Sequence, residues 1–164
     1  KMLLDSGADR VVINSLIYFN QNLVKEISNF YGLSTIVASV DYKYIDNKPV
    51  VFVSSGQYNT EINLHDYIQK INYIGVGELI LTCIDNEGLM KGYDIDKGLE
   101  IYNQVECPII LNGGAGNFND LYNGLKHDEI NSVACSSLFH FGDNNPIRAR
   151  STLRNMKIQM RNLK

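Results

Sequence analysis

Apolar runs rich in β-branched residues alternate along this chain with segments whose apolar residues recur at helical spacing. Turn residues separate the segments, so the sequence predicts consecutive β-strand and α-helix units. The five main strands are expected at residues 9–14, 34–41, 78–84, 108–111 and 130–135. A further strand at 49–53, after the Asp46-Asn47 turn, is expected to form a hairpin with the extended second strand. Strands that are apolar on both faces are typical of a parallel sheet in an α/β protein.

The segments between these strands have apolar stripes and begin at residues that cap helices well. Each expected N-cap side chain can accept a hydrogen bond from a first-turn backbone N–H, and these residues are Asn20, Asn63, Asp94 and Asn117. The positions expected to face the core are Leu23, Val24, Ile27, Phe30 and Tyr31 in the first helix, Leu64, Tyr67, Ile68, Ile71 and Ile74 in the second, Leu99 and Tyr102 in the third, and Phe118, Leu121, Tyr122 and Leu125 in the fourth.

The last segment predicts an amphipathic helix over residues 147–163. A helix of this kind packs its apolar stripe on the core and leaves its charged stripe in water. The apolar stripe comprises Ile147, Leu153, Met156, Met160 and Leu163. The solvated stripe comprises Arg148, Arg150, Arg154, Lys157 and Arg161.

Composition excludes several classes of protein. A chain of 164 residues with 45% hydrophobic and 20% charged residues fits one globular domain. No basic stripe for a nucleic-acid backbone accompanies its net charge of −3. No apolar run approaches the roughly 20 residues that cross a bilayer, and no signal segment is evident, so we expect a cytoplasmic protein without a membrane role. The odd number of cysteines, Cys83, Cys107 and Cys135, fits reduced buried thiols, and no metal-ligand spacing occurs.

Polar residues follow all five strands, where each loop to the next helix begins. They are Asn14-Ser15, Asp41, Asp85 with Glu87, Asn112-Gly113-Gly114, and Ser136-Ser137. Periodicity alone fits an open doubly wound sheet or a closed barrel. A (βα)8 barrel assembles its active site from the loops after many strands, whereas an open sheet concentrates it at one crevice. The pattern therefore favours the (βα)8 TIM-barrel class, and a weak repeat between residues 11–15 and 133–137 agrees with it.

The segment from Leu111 to Gly116 is the clearest chemical motif. Its glycines allow backbone N–H groups to approach an anion closely, and the helix that follows adds its positive dipole end. Ser136 and Ser137 could add donors from the next strand, as in the phosphate site formed after strands seven and eight of many barrels. On this hypothesis the chain holds strands four to eight. A tight strand-to-helix turn that binds nothing is the alternative.

Several motifs occur in one order along the chain. They are Gly7-Ala8-Asp9-Arg10-Val11-Val12-Ile13-Asn14, Asp41-Tyr42-Lys43, Gly77-Glu78-Leu79-Ile80-Leu81-Thr82, Ile84-Asp85-Asn86-Glu87-Gly88, Gly113-Gly114-Ala115-Gly116 and Ser137-Leu138-Phe139-His140-Phe141. From about residue 3 to residue 141 this order resembles the cyclase subunit of imidazole glycerol phosphate synthase. Because barrels of this kind have about 250 residues, the resemblance implies that 1–164 is a single partial barrel domain without its three N-terminal βα units.

The resemblance implies a lyase/cyclase of histidine biosynthesis. The family uses ammonia to convert a bis-phosphorylated ribulosyl nucleotide into imidazole glycerol phosphate and aminoimidazole carboxamide ribotide, with two acidic residues as general acid and base. One of these lies on strand one and is absent here, and the other corresponds to Glu87, where the family has aspartate. Asp41 matches an aspartate of the catalytic pocket, and Thr82 and Asn112 fall at other pocket positions.

The resemblance also implies binding sites for phosphate, ammonia and a partner. One phosphate site matches Gly113, Gly114, Ala115, Ser136 and Ser137, and part of the other matches Asn14 and Ser15. Arg10 and Glu78 correspond to a charged gate through which ammonia enters the barrel, and Asp9 to a contact with a glutaminase subunit in a heterodimer. For these three, a surface salt bridge is the alternative. No cofactor or metal is implied.

Two other functions stay open. Glu87 in place of aspartate is compatible with a related ammonia-channelling subunit of an amidotransferase that makes an amidino sugar for surface polysaccharide. A non-catalytic barrel fragment is the second possibility. Five of eight strands cannot close a barrel and leave two edges unpaired, so the isolated chain is expected to be inactive.

Overall fold

The longest strand of the protein, β2, pairs with three other strands and organises the sheet. The computed structural model describes residues 2–160. Within them the strands are β1 (Val11–Ile13), β2 (Ile36–Ile45), β3 (Lys48–Val53), β4 (Tyr58–Asn63), β5 (Glu78–Cys83), β6 (Ile109–Asn112) and β7 (Ser132–Val133). The helices are α1 (Met2–Asp5), α2 (Ser15–Phe19), α3 (Gln21–Tyr31), α4 (Leu64–Ile74), α5 (Ile95–Tyr102), α6 (Phe118–Leu125), α7 (Ser137–His140) and α8 (Pro146–Asn155), and a 3₁₀ turn spans Leu33–Thr35.

Five strands run parallel in the order β1-β2-β5-β6-β7. Helices connect successive members of this series, as a repeated βα unit requires. The five predicted strands are therefore confirmed, although β1 and β7 are shorter than expected. In the described part of the chain, β1 pairs only with β2 and β7 only with β6, so each has one unpaired edge.

The parallel sheet has two different faces, because side chains alternate along a strand. One face carries Ala38, Leu79 and Leu111, which are buried in the core together with residues of the helices. The other face carries rows of residues in register, such as Ser39 opposite Ile80, which are only half-buried. A sheet with one face under helices and the other facing an unfilled interior is the arrangement of a barrel wall, which confirms the predicted fold class as a partial barrel.

The second half of β2 leaves the parallel sheet and forms the predicted hairpin with β3. Asp46 and Asn47 both have positive φ, 49° and 60°, as a two-residue hairpin turn requires. The hairpin continues into β4, which pairs antiparallel with β3 and was not predicted. The residues of β4 are mostly polar and exposed, so apolar alternation gave no signal there.

The helix starts are as predicted. Asn20, Asn63 and Asp94 each accept a hydrogen bond from a first-turn backbone N–H, and Asn117 forms a reciprocal capping box with Asp120. The predicted face of α4 is fully buried, as are Val24 of α3 and Leu121 of α6. No helix in the described range is both long and apolar enough to span a bilayer.

Three predicted apolar faces need correction. In α5, Tyr102 is 39% exposed instead of facing the core. In α3, Leu23 and Phe30 are 40% and 79% exposed, because only the side of the helix near Val24 meets neighbouring elements. Periodicity identifies an amphipathic helix, but it does not show which residues of the apolar stripe pack against other elements.

The last helix is shorter than predicted, and Ile147 in its first turn is 81% exposed rather than buried. It ends at Asn155, because Lys157 has a φ of 65° and the N–H groups of Lys157 and Ile158 bond to the carbonyls of Arg154 and Leu153. This is a Schellman ending without its usual glycine. Met160 packs on the core beyond the helix, and the predicted Arg161 and Leu163 lie outside the described residues.

Replacing Gly77 by alanine should lower the free energy of unfolding by about 1–3 kcal/mol, measured by denaturant titration. An added Cβ would lie 2.7 Å from the backbone Cα of Ser34, so the turn before β5 would have to move. Gly142→Ala is the matched control, because its nearest neighbour is a side-chain atom of Asn144 at 3.4 Å, and should change stability by less than about 0.5 kcal/mol. Equal effects would contradict the packing argument.

Candidate functional site

A row of hydrogen-bonded polar side chains crosses the carboxyl ends of four neighbouring strands. Asp41, Thr82 and Asn112 are register partners on β2, β5 and β6, so they project from the same face. The Asn112 amide donates to Thr82 Oγ1 at 3.2 Å, and the Thr82 hydroxyl bonds in turn to the Asp41 carboxylate. Asn14, which follows β1, donates to Asp41 Oδ2 at 3.1 Å. We call Asn14, Asp41, Thr82 and Asn112 the polar row.

Burial raises the pKa of Asp41 above its ordinary value. Hydrogen bonds from Thr82, Asn14 and Ser39 favour the charged form and offset part of that effect. Asn14 is itself held, since its amide also donates to the Ser39 carbonyl at 3.0 Å. The result is a well-oriented carboxyl group with an increased tendency to hold a proton, which suits proton transfer or the binding of a substrate hydroxyl.

Ser15 lies next to the polar row and links it to the hairpin. Its hydroxyl donates to Asn14 Oδ1 at 3.1 Å and accepts from the Ser54 N–H at 2.9 Å. The two residues predicted to belong to one phosphate site therefore contact each other, but most of their polar groups are engaged within the protein.

The glycine turn after β6 packs tightly against the loop that follows β5. Gly113 and Gly114 have φ values of 93° and 106°, and a Cβ on Gly114 would lie 2.2 Å from the Gly92 carbonyl oxygen. The Gly92 N–H donates to the Gly114 carbonyl at 2.8 Å, and the Asn86 amide donates to the Gly92 carbonyl at 3.1 Å. Only glycine fits at position 114, and the turn is rigidly held.

A side-chain carboxylate of the protein itself occupies the start of α6. The Asp120 carboxylate accepts from the N–H of Gly116 at 2.8 Å and from the N–H of Asn117 at 3.1 Å. These N–H groups belong to the N-cap and to the residue before it, so a carboxylate already lies beside the first-turn N–H groups that a helix N-terminus offers to a phosphate. The predicted contribution of this helix to anion binding is thus reduced, and an external anion has to be bound by other donors of the turn.

Glu87 lies over the glycine turn. One of its carboxylate oxygens is 3.4 Å from the point where a Cβ on Gly113 would be, and the side chain is exposed. Its loop begins directly after β5, where the Glu87 N–H bonds to the Cys83 carbonyl. The structure therefore places Glu87 beside Gly113, at the same strand-end edge as the polar row.

Ser136 and Ser137 follow β7, the neighbour of β6. The Ala134 N–H donates to the Leu111 carbonyl at 2.8 Å, and the Tyr93 hydroxyl donates to the Ala134 carbonyl at 2.9 Å. These bonds hold the chain after β7 alongside the glycine turn. Ser136 caps α7 without a side-chain hydrogen bond, and Ala115 is buried in the turn itself.

At the opposite end of the strands, Arg10 and Glu78 form a salt bridge. Arg10 precedes β1 and Glu78 begins β5, so the pair spans the first residues of β2. The hydrogen bond and charge of Glu78 raise the pKa of Arg10, with a smaller effect from the adjacent Asp9. The structure thus brings together the two residues that were expected to pair at this face.

Sequence reasoning missed a second hydrogen-bonded group. Tyr42 and Tyr44 both donate to Asp94 Oδ2 at 2.8 Å, while Asp94 Oδ1 caps α5. The two tyrosines are two residues apart on one strand and so share a face, which is a signal that the sequence did offer. This group fixes the hairpin to α5, behind the polar row.

Cysteines and metal ligands add no chemistry to the site. Cys83 is buried and Cys107 and Cys135 are half-buried, all three with free thiols, and burial raises the pKa of Cys107 to about 11. Raised pKa values make thiols poor nucleophiles. Among residues 2–160, no group of three or more histidine, cysteine, aspartate or glutamate side chains is placed to hold a metal ion.

Parallel βα units with polar side chains collected at the carboxyl ends of the strands define a barrel-type βα protein. Comparison with known proteins identifies the family. A family model described as histidine biosynthesis protein matches residues 1–145. The chain belongs to that family, and the predicted resemblance to its cyclase subunit is confirmed.

The chain is similar to the imidazole glycerol phosphate synthase subunit HisF of three organisms. It is 36% identical to that of Sulfurisphaera tokodaii over 85% of the chain and 55% of the relative, and 36% identical to that of Natranaerobius thermophilus over 86% and 56%. For Chlorobium limicola the identity is 32%, over 94% of the chain and 62% of the relative. The chain thus spans little more than half the length of these relatives.

Asp41→Asn should change how stability depends on pH. Because the folded state binds the Asp41 proton more tightly than the unfolded state, the stabilisation that this proton provides is present at low pH and lost as pH rises through the folded pKa. The unfolding free energy of the parent protein should therefore fall relative to Asp41→Asn as pH rises above the ordinary pKa of an aspartate, about 3.9. Thr82→Val, which removes a bond to the carboxylate, should steepen this trend. Differences that do not vary with pH would contradict it.

Proposed function

We propose that this chain is the C-terminal part of an ammonia-dependent cyclase of histidine biosynthesis. The observation that carries the proposal is the polar row, which lies in register at the strand-end edge beside the rigid glycine turn. Membership of the histidine biosynthesis family supports it. The reaction closes an imidazole ring with ammonia and cleaves a bis-phosphorylated ribulosyl nucleotide into imidazole glycerol phosphate and aminoimidazole carboxamide ribotide.

In this proposal two carboxyl groups do different work. Glu87 is the general acid or base that faces a second acid supplied from strand one of the complete barrel. Asp41, with its raised pKa and its orienting bonds, positions polar groups of the substrate or exchanges a proton with them. Thr82 and Asn112 keep the Asp41 carboxyl group in one orientation and line the pocket.

The phosphates of the substrate are assigned to opposite sides of the barrel mouth. Gly113, Gly114 and Ala115 would offer backbone N–H groups, with Ser136 and Ser137 beside them, for one phosphate. Asn14 and Ser15 would contribute to the other. The Asp120 cap on α6 implies that the first site relies on the glycine turn and the serines more than on the helix dipole.

We further propose that residues 1–164 are the last five βα units of one barrel domain and that three units complete it. The unpaired edges of β1 and β7 support this, as does Val12, which is 61% exposed on the inner face of β1. The relatives are long enough to contain such units. Five strands alone leave the interior open to water, so the chain by itself would be inactive.

Ammonia would enter from the end of the barrel opposite the polar row. Glu78, Ile80 and Thr82 are alternate residues of β5 and so line one face, from the Arg10–Glu78 salt bridge to the polar row. Four residue steps cover about 13 Å of strand. A glutaminase subunit that delivers ammonia would dock at the salt-bridge end, where Asp9 is exposed.

Glu87 also favours a second candidate function. Its side chain is one methylene longer than the aspartate of the family and lies over the glycine turn, so it changes the shape of the pocket. A changed pocket suits a different substrate, as in a related subunit that channels ammonia to an amidino sugar of surface polysaccharide. Turnover assays with the ribulosyl nucleotide distinguish the two functions.

The first test uses the full-length protein with the ribulosyl nucleotide and ammonium ions. Glu87→Gln should lower kcat by about 10²–10⁴-fold, because it cannot exchange a proton, while the thermal unfolding temperature stays the same. Glu87→Asp is the matched control and should retain turnover within about tenfold. Folded parent protein that fails to turn over this substrate would contradict the cyclase assignment and favour the second candidate.

The second test concerns the salt bridge. Arg10→Glu should reduce turnover supported by glutamine and the glutaminase more than turnover supported by ammonium ions, because like charges then face each other across the pore. The double variant Arg10→Glu/Glu78→Arg should recover a substantial part of the glutamine-dependent rate. If both ammonia sources are affected equally, the pair has no role in transfer.

A further inference from the structure

The carboxyl group of Glu87 depends on a loop for its position. The loop spans residues 84–94, between β5 and α5, and the Glu87 side chain on it is exposed. A loop holds a side chain less precisely than a strand does, whereas a group that transfers protons has to stay within about 0.5 Å of its productive position. The bonds that hold this loop therefore bear on catalysis.

One residue of the hairpin bonds to both ends of the loop. The backbone N–H of Tyr44 donates to Asp85 Oδ2 at 2.8 Å, and its hydroxyl donates to Asp94 Oδ2 at 2.8 Å. Tyr42, two residues earlier on β2, donates its hydroxyl to the same oxygen of Asp94 at 2.8 Å. We call Tyr42, Tyr44, Asp85 and Asp94 the loop anchor.

The glycine turn holds the same loop from the other side. The Asn86 amide donates to the Gly92 carbonyl at 3.1 Å, and the Gly92 N–H donates to the Gly114 carbonyl at 2.8 Å. Between these contacts the Glu87 N–H donates to the Cys83 carbonyl at 3.1 Å. The loop is therefore held between the loop anchor and the glycine turn, and Glu87 lies on the side of the glycine turn.

Both tyrosines of the loop anchor remain hydrogen-bond donors at neutral pH. Burial is the main cause that raises the pKa of Tyr42 and of Tyr44, and the neighbouring Asp94 raises both further. The hydroxyls therefore keep their protons, and the Asp94 carboxylate accepts from both. The two rings also contact each other edge to face, with their centroids 5.9 Å apart, so the hydroxyls are held side by side.

We propose that the loop anchor positions Glu87 for proton transfer, with Tyr44 as its central residue. The proposal rests on the cyclase function proposed above, in which Glu87 is the general acid or base. Tyr42 and Tyr44 project from the face of β2 opposite to Asp41, so they act through the loop and not on the substrate. A displacement of about 1 Å in a catalytic group can cost about 10²-fold in rate.

The first test compares two tyrosine variants of the full-length protein, assayed with the ribulosyl nucleotide and saturating ammonium ions. Tyr44→Phe keeps the ring and the backbone bond to Asp85 but loses the hydroxyl bond to Asp94, and it should lower kcat by about tenfold. Tyr102→Phe is the matched control. Tyr102 is as exposed as Tyr44 but lies at the end of α5 farthest from the loop, so kcat should change by less than about twofold.

A double-mutant cycle separates positioning from a general structural effect. In the Glu87→Gln background the group that Tyr44 positions is already lost, so adding Tyr44→Phe should lower kcat by less than about twofold. Equal losses in the two backgrounds would overturn the proposal.

Variants of Asp94 separate positioning from helix capping, because Asp94 Oδ1 also caps α5. Asp94→Asn can cap the helix with its oxygen and donate its two N–H groups to the tyrosine oxygens, so kcat should stay within about threefold of the parent value. Asp94→Ser caps a helix equally well but is too short to reach both tyrosines, and it should lose as much activity as Tyr44→Phe. Equal activity in the serine and asparagine variants would contradict the positioning role.

Backbone hydrogen exchange tests the loop anchor without any substrate. The N–H groups of Glu87 and Gly92 should exchange several-fold faster in Tyr44→Phe, because the loop opens more often, and at the parent rate in Tyr102→Phe. Unchanged exchange in Tyr44→Phe would overturn the proposal. Faster exchange in Tyr44→Phe together with no turnover by the parent protein would contradict the cyclase function, while the anchoring of the loop would stand.

Discussion

β2 belongs to two kinds of sheet at once, and this dual pairing sets the position of the neighbouring strands and of the polar row. Its first residues lie between β1 and β5 in the parallel sheet, and its last residues pair antiparallel with β3. Asp41 takes part in both kinds of pairing: it is the parallel register partner of Thr82 on one side and the antiparallel partner of Phe52 on the other. Backbone bonds from two strands therefore fix the position of the central carboxyl group, and the hairpin covers the edge of β2 that β1, which ends earlier, leaves free.

A carboxyl group fixed in this way has to be compensated, because its burial penalises the charged form. The polar row provides the compensation through side chains that are themselves placed by the sheet register. Compensation is only partial, since the pKa of Asp41 stays raised. The hydrogen bonds thus reduce the free-energy cost of burying the carboxylate without removing it. The carboxyl group can therefore still gain or lose a proton. A fully compensated aspartate would be a permanent anion and a poor proton donor.

The elements predicted from the sequence are those whose burial imposes a regular pattern of apolar residues. The face of α4 was predicted completely, because burial on one side of a helix imposes a period that the sequence must keep. The polar strand β4 and the end of α8 were missed. β4 is stabilised by backbone pairing, which polar residues provide as well as apolar ones. The end of α8 is formed by Lys157 in the left-handed backbone conformation, where glycine is usual. The site residues were identified as strand-end positions, but their order of hydrogen bonding, and the occupation of the α6 start by Asp120, depend on side-chain geometry that spacing does not encode.

β5 carries a salt bridge at one end and a residue of the polar row at the other. Glu78 is paired with Arg10 at one end, and Thr82 joins the polar row at the other. Ile80, between them on the same face, presents only hydrocarbon to the interior. A neutral molecule such as ammonia can pass an apolar side chain with little cost, whereas an ion cannot. On the function proposed above, a wall built on this alternation would admit ammonia while retaining the charged substrate. Because side chains on a strand alternate, the outer residues Leu79 and Leu81 are left free to pack under the helices and hold that wall in place.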